Sequence, residues 1–279
     1  MKIIGEKING TRKKVAQAIA SRDAAAIQEL AINQTKAGAS WLDVNAGTHP
    51  DQEPDDLIWL INTIQAVVDT PLCLDSANPE ALRLAIRAVN KTPMINSISG
   101  EPQRLEGILP LVAEHGCDVI ALCMDDKGIP QTAEGRLEVI RKVFEETRRM
   151  GVPDEKIYVD PLVMTIATDT QAGRTILNTI RAIRAEFPQA HISTGLSNIS
   201  FGLPVRALIN RTFLVLAMEA GMDTAIIDPN DRELQAAMIT ADLLLGNDRY
   251  CLGYTRAYRA GLLEKSTLAG AKSTPTTTE

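Results

Sequence analysis

Short apolar runs alternate with longer amphipathic stretches along this chain, and seven of the runs end in an acid or an amide. They read Ile3-Ile4-Gly5-Glu6, Trp41-Leu42-Asp43-Val44-Asn45, Leu72-Cys73-Leu74-Asp75, Met94-Ile95-Asn96, Tyr158-Val159-Asp160, Gly195-Leu196-Ser197-Asn198 and Ala225-Ile226-Ile227-Asp228. An apolar run of about four to six residues bounded by turn residues suits a parallel strand buried on both faces. The spacing predicts eight strands, over 3–7, 41–45, 72–75, 94–96, 118–124, 157–160, 192–197 and 224–228. Helical patterns lie between and after them, over 24–36, 55–68, 79–89, 101–115, 133–150, 171–185, 205–220 and 231–245. Asp23 is placed as an N-cap, and Gly38, Gly116, Gly151, Gly221 and Gly246 follow helix ends, where a left-handed residue closes the last turn. Eight such units with short connections predict a (β/α)8 TIM barrel, because right-handed crossovers leave few other topologies. An open doubly wound sheet is the competing arrangement, but no strand is followed by a Gly-x-Gly-x-x-Gly turn.

The length of 279 residues suits one such domain, taken here as 1–262, with a Thr- and Ser-rich tail over 263–279 that reads as disordered. A net charge of −6 without a Lys/Arg stripe points away from nucleic acid. No apolar stretch approaches the roughly 20 residues of a membrane span, and no signal-peptide pattern opens the chain. Cys73, Cys117, Cys123 and Cys251 are too scattered for a disulfide framework or a metal site, so a cytoplasmic protein with free thiols and no bound metal is expected.

Strand C-termini of a barrel meet at one mouth. Ser76 and Asn78 are read as local caps for the helix at Pro79. Asp43, Asn45, Asp75, Asn96, Asp160 and Asn198 together would set several carboxylates side by side without cationic partners, which raises their pKa values and costs stability. A neutral planar ligand rich in N–H groups answers that arrangement. Carboxylates accept paired N–H bonds from an amino-amidine edge, and Asn both donates and accepts. A 2-amino-4-oxo-pteridine fits this lining; a phosphate does not.

The same segments carry a resemblance. Gly5-Glu6-Lys7-Ile8-Asn9-Gly10, Leu74-Asp75-Ser76, Met94-Ile95-Asn96-Ser97, Val159-Asp160-Pro161-Leu162, Gly195-Leu196-Ser197-Asn198-Ile199-Ser200 and Ile209-Asn210-Arg211-Thr212-Phe213, in this order, resemble the pterin-binding methyltransferases. Among these the chain is most similar to the methyltetrahydrofolate:corrinoid protein methyltransferases, a group that takes in the folate domain of cobalamin-dependent methionine synthase. The resemblance implies that Asp75, Asn96 and Asp160 hold the pterin ring and that Asn198 lies near N5. Glu6, Asn9, Asp43 and Asn45 complete a polar floor, Gly195 and Ser197 shape the loop around the folate, and Arg206 meets the glutamate tail. Phe201 is aromatic, as in methionine synthase-like members.

The implied reaction moves a methyl group between N5 of (methyl)tetrahydrofolate and the cobalt of a corrinoid carried on a separate protein. N5 must gain a proton or a strong hydrogen bond as its bond to the methyl carbon breaks. Asn198 can donate a hydrogen bond that strengthens in the transition state, while Asp75 or a water supplies the proton. A homodimer is also implied. Two alternatives stand beside this reading: a dihydropteroate synthase-like enzyme, for which the late basic phosphate motif is missing, and a folate-binding module without turnover.

Overall fold

The computed structural model describes residues 1–263, so most of the tail expected over 263–279 lies outside the described residues. Eight parallel strands, β1 (Lys2–Asn9), β2 (Trp41–Asn45), β3 (Leu72–Asp75), β4 (Met94–Ser99), β5 (Asp118–Leu122), β6 (Ile157–Asp160), β7 (His191–Ile192) and β8 (Thr224–Ile227), form one sheet in the order β7-β6-β5-β4-β3-β2-β1-β8. β1 pairs with both β2 and β8, and the remaining seam is joined by the Gly195–Ile226 bridge and the Ile226 N–H donated to Thr194 O at 2.8 Å. The chain is a (β/α)8 TIM barrel, not an open sheet.

The helices wrap the outside. They are α1 (Lys13–Ala20), α2 (Ala24–Lys36), α3 (Glu53–Gln65), α4 (Pro79–Ala88), α5 (Pro102–Gly107), α6 (Leu109–His115), α7 (Ala133–Arg149), α8 (Ala172–Glu186), α9 (Arg206–Ala220), α10 (Arg232–Leu244) and α11 (Leu252–Arg259). Side-chain caps start several of them: Asp23 accepts from Ala26 N–H, Asn78 from Glu80 and Ala81 N–H, Thr132 from Gly135 N–H and Asp231 from Leu234 N–H. None of these helices is long and apolar enough to cross a membrane.

Four details depart from the sequence reading. α1 was unforeseen; its buried Val15, Ala18 and Ile19 recur at helical spacing and pack on the barrel. The single helix expected over 101–115 breaks at Ile108, because Pro110 has no N–H to continue the ladder. The seventh strand, expected to run to Ser197, stops at Ile192, and residues Leu196–Ser200 instead form a 3-10 turn over the mouth. α11 adds a further turn of helix beyond the eighth unit.

Because successive strand residues alternate between faces, the barrel interior is built in layers. Ile4, Cys73, Met94, Ile120 and Tyr158 form a buried cluster inside it, packed by Trp41, Leu122 and Ile226. Below, Lys2 Nζ donates to Tyr158 Oη at 2.9 Å, and His191, stacked on the Tyr158 ring, meets Asp223 at 2.9 Å. Above that apolar plug the same faces present Glu6, Asp43, Asn45, Asp75, Asn96 and Asp160. The plug closes the barrel from beneath, so these polar groups stand on a dry floor.

Candidate active site

Register brings the polar layer together. β3 and β4 align Asp75 with Asn96, β2 and β3 align Asp43 with Cys73, and β1 and β2 align Asn9 with Asn45. The β1 and β2 ends approach so closely that a Cβ on Gly10 would lie 1.8 Å from the Ala46 carbonyl oxygen, so only glycine permits this junction. The amides then turn onto the acids. Asn45 Nδ2 donates to Asp75 Oδ2 at 3.0 Å and to the Asp75 carbonyl at 3.2 Å, and Asn96 Nδ2 donates to Asp43 Oδ1 at 3.3 Å. That arrangement leaves Asn45 Oδ1 buried without a hydrogen-bond partner. A buried acceptor in that condition favours a ligand that donates N–H groups.

Two further acids at the mouth, outside the group expected to lack cationic partners, are paired. Arg12 pairs with Glu6 at 2.8 Å and Lys7 with Asp228 at 2.5 Å. Among the described residues no ion pair reaches Asp43, Asp75 or Asp160. Burial chiefly pushes the Asp43 carboxyl up to about 8, helped by the Asp75 charge and opposed by hydrogen bonds from Asn96 and Cys73. Burial also raises Asp75, against the Asn45 hydrogen bond and the positive charge of Arg104; Glu53 pushes it further up. Asp160 rises to about 6 by burial, held there by the N–H groups of Leu162 and Gly195 and by the charge of Arg136. Near neutral pH the mouth therefore offers Asp43 as a carboxylic acid and Asp160 as a carboxylate.

Asn198 sits in the 3-10 turn with its side chain exposed and without a hydrogen-bond partner among the described residues. The turn is fixed by its backbone: Asn198 N–H donates to Gly195 O at 3.2 Å, and Phe201 N–H to Asn198 O at 3.1 Å. Gly195 leaves room for the amide, since a Cβ there would stand 3.2 Å from Asn198 Nδ2. Arg206 braces the turn by donating to Ser197 O at 2.7 Å and Ser200 Oγ at 3.0 Å, and its guanidinium lies over the Phe201 ring. Phe201 is 67 % exposed on the rim.

Some sequence-predicted residues are used locally. Asn9 Oδ1 accepts from Thr11 N–H and Oγ1, a turn cap at the end of β1. Asn78 caps α4 and Ser76 Oγ accepts from Asn78 N–H at 3.0 Å, the local roles expected of them, while Ser76 also reaches across to α3 by donating to Glu53 at 2.5 Å. Arg104, Arg136, Glu53 and Lys7 were missed as neighbours of the acids. Lys7 was visible in the segment Gly5-Glu6-Lys7, but Arg104 and Arg136 reach the site from α5 and α7, and no local pattern announces them.

Residues 5–228 match the family model described as pterin binding enzyme. The chain is 41% identical over 263 residues to a methylcorrinoid:tetrahydrofolate methyltransferase of Eubacterium limosum, covering 94% of this chain and 97% of that protein. It is 32% identical over 238 residues to the methionine synthase of Mycobacterium leprae, covering 81% of this chain but only 20% of the longer protein. A dihydropteroate synthase from Coxiella burnetii in complex with pteroic acid superimposes with a TM-score of 0.63 at 17% identity, over 87% of this chain and 93% of that one, a likeness of fold alone.

Proposed function

The chain belongs to the pterin-binding enzymes, and from that premise we propose that it is a methyltransferase acting between N5 of tetrahydrofolate and a corrinoid carried on a separate protein. The observation that carries this reading is the mouth itself: Asp75, Asn96 and Asp160 ring a buried floor whose orphaned acceptor, Asn45 Oδ1, asks for N–H donors. A pterin supplies them through its 2-amino group and ring N–H, and a charged acceptor contributes about 1.5–3 kcal/mol per hydrogen bond. In this reading Asp75, Asn96 and Asp160 hold the ring, with Glu6, Asp43, Asn45 and Asn9 around its floor. Gly195 and Ser197 shape the loop, and Arg206 at its outer edge meets the folate's acidic tail.

The bound corrinoid's contribution is a cobalt that gives up or takes the methyl group. What this chain does is manage the proton at N5. Transfer to tetrahydrofolate forms the N5–methyl bond and releases the N5 proton; transfer from methyltetrahydrofolate breaks that bond and returns a proton to N5. Asn198, with no side-chain partner among the described residues, donates a hydrogen bond that is strongest while charge builds on N5. The carboxyls below it, raised by burial, are matched to hold or release a proton near neutral pH. Phe201 and the exposed turn form the rim against which a corrinoid carrier docks.

An anaerobic spectrophotometric assay with free cob(I)alamin and methyltetrahydrofolate tests the reading. Conversion of the cob(I)alamin band to that of methylcob(III)alamin is expected, and the reverse transfer from methylcob(III)alamin to tetrahydrofolate should run in the same preparation. Folate binding without turnover in either direction would favour a binding module, and the absence of folate binding would remove the pterin reading.

A cytoplasmic homodimer is part of the proposal. A cleft of about 590 Å³ between α8 and α9, lined by Ile166, Leu177, Ile199, Leu208, Phe213 and Leu216, supports a self-association face. Leu208 and Leu216 are 56 % and 47 % exposed along it. Leu216→Glu is expected to convert a dimer to a monomer in sedimentation velocity, and an unchanged dimer would move the interface elsewhere.

A further inference from the structure

The guanidinium of Arg136 has no part in the chemistry above and is costly where it stands. It lies in the first turn of α7, where the helix dipole disfavours a cation, and the residue is only 3 % exposed. All its hydrogen bonds go to backbone carbonyls: Nε to Pro130 at 2.9 Å, and Nη1 to Pro161 at 2.7 Å and Leu162 at 3.1 Å. A buried cation satisfied only by neutral acceptors is retained at a penalty unless an opposite charge faces it. Asp160 lies near enough to act on that charge, short of an ion pair, and the residues Arg136 grips are the two that follow Asp160 in the chain. Leu162, at φ 61, occupies the left-handed region that a branched side chain rarely adopts. That residue is held from both sides, since its N–H donates to Asp160 Oδ1 at 2.7 Å while its carbonyl accepts from Arg136.

We propose that Arg136 is a positioning residue for pterin recognition: it clamps the Pro161–Leu162 turn and presents a positive charge to Asp160, so that this carboxylate is aimed at, and ionised for, the N–H groups of the ring. The inference rests on the folate reading of the mouth. The groups that face Asp160 are Arg136 from α7, the Cys123 thiol beyond β5, and the N–H groups of Leu162 and of Gly195 in the loop after β7. Of these only Arg136 carries a positive charge, and the burial-raised Cys123 thiol stays neutral. Removing the guanidinium therefore leaves burial less opposed and moves the ionisation of Asp160 upward.

The test follows methyltetrahydrofolate affinity against pH in the native chain, Arg136→Gln and Arg136→Lys, with Asp160→Asn as reference. Native binding should weaken as pH falls through about 6. Arg136→Gln should bind more weakly than the native chain near neutral pH and recover as pH rises, its midpoint shifted upward. Arg136→Lys keeps the charge and should return the midpoint to the native position while affinity stays partly reduced. A uniform loss at every pH with an unmoved midpoint, or no loss at all, overturns the proposal and leaves Arg136 a packing residue. Isotope-edited infrared spectra of the ligand-free proteins give a second reading: the carboxylate band missing from Asp160→Asn should appear in the native chain above about pH 6. Its absence near neutral pH overturns the proposal even where Arg136→Gln does not fold. If the native chain binds no folate, the pterin reading falls, while the pH at which the band appears in the native chain and in Arg136→Gln still decides whether Arg136 holds Asp160 ionised.

Discussion

Asn198→Ala is expected to bind methyltetrahydrofolate within a few-fold of the native affinity and to transfer its methyl group about 100- to 1,000-fold more slowly, the range seen when one donor to a developing charge is removed. The asymmetry follows from where the amide sits. Its side chain makes no contact the fold needs, and the turn that carries it is held by backbone bonds from Asn198 to Gly195 and from Phe201 to Asn198, with Arg206 bracing Ser197 and Ser200. Truncation therefore spares the loop and the carboxylates proposed to hold the ring. What it removes is a hydrogen bond that gains strength only as N5 changes charge, so the loss falls on the rate and not on ground-state affinity. Single-turnover stopped-flow measurements, in both directions, separate the two. Equal losses in affinity and rate would make Asn198 a binding group only, and an unchanged rate would remove it from the chemistry.

Asp43→Asn is expected to stabilise the protein in mildly alkaline solution. In the folded chain the Asp43 carboxyl is pushed up to about 8 from an ordinary value of 3.8, mainly by burial. The folded state thus keeps a proton that the unfolded chain has lost, so stability falls as pH rises between those two values. Asp75 and Asp160 are raised as well and contribute with the same sign, Asp160 only up to about 6. Between pH 6 and 8 the raised Asp43 carboxyl contributes to that fall, and each pKa unit corresponds to about 1.4 kcal/mol. An amide, which cannot ionise, should remove about 2 kcal/mol of that decline while still accepting the hydrogen bond from Asn96. Urea unfolding of both proteins at pH 6 and pH 8 reads the difference directly. Parallel pH slopes in the two proteins would mean that Asp43 ionises in the fold as freely as in the unfolded chain.

Both expectations start from residues legible in the sequence. The apolar runs of Leu72-Cys73-Leu74-Asp75 and Tyr158-Val159-Asp160 announce buried strands with an acid at the end, because parallel strands covered on both faces must be apolar until they emerge. Their order and spacing also announce the barrel, since crossover handedness leaves few ways to wind such a series and no Gly-x-Gly-x-x-Gly turn marks the open sheet. Helix boundaries were legible where a cap or a glycine marks them, as at Asp23 and Gly116, and failed at Ile108, where a proline two residues later splits the expected helix. The last strand before Asn198 was read too long because the apolar pattern continues through Leu196, although the chain there has turned to cross the mouth.

The electrostatics of the mouth were not legible. That Glu6 is neutralised by Arg12, Asp228 by Lys7, and Asp160 faced by Arg136 depends on barrel closure, which sets β1 beside β8, and on which loops and outer helices reach the strand ends. The sequence by itself determined the parallel barrel and the ring of acids and amides at its mouth, because strand burial and the two-residue alternation of side chains act locally and repeat in every unit. Only the tertiary structure decided which of those acids keeps its proton. Burial depth and the distance to a charge are properties of the assembled space: Asp43 and Asp160, alike as strand-end aspartates, part company because the Asp75 charge faces one, while Arg136 and two backbone N–H groups face the other.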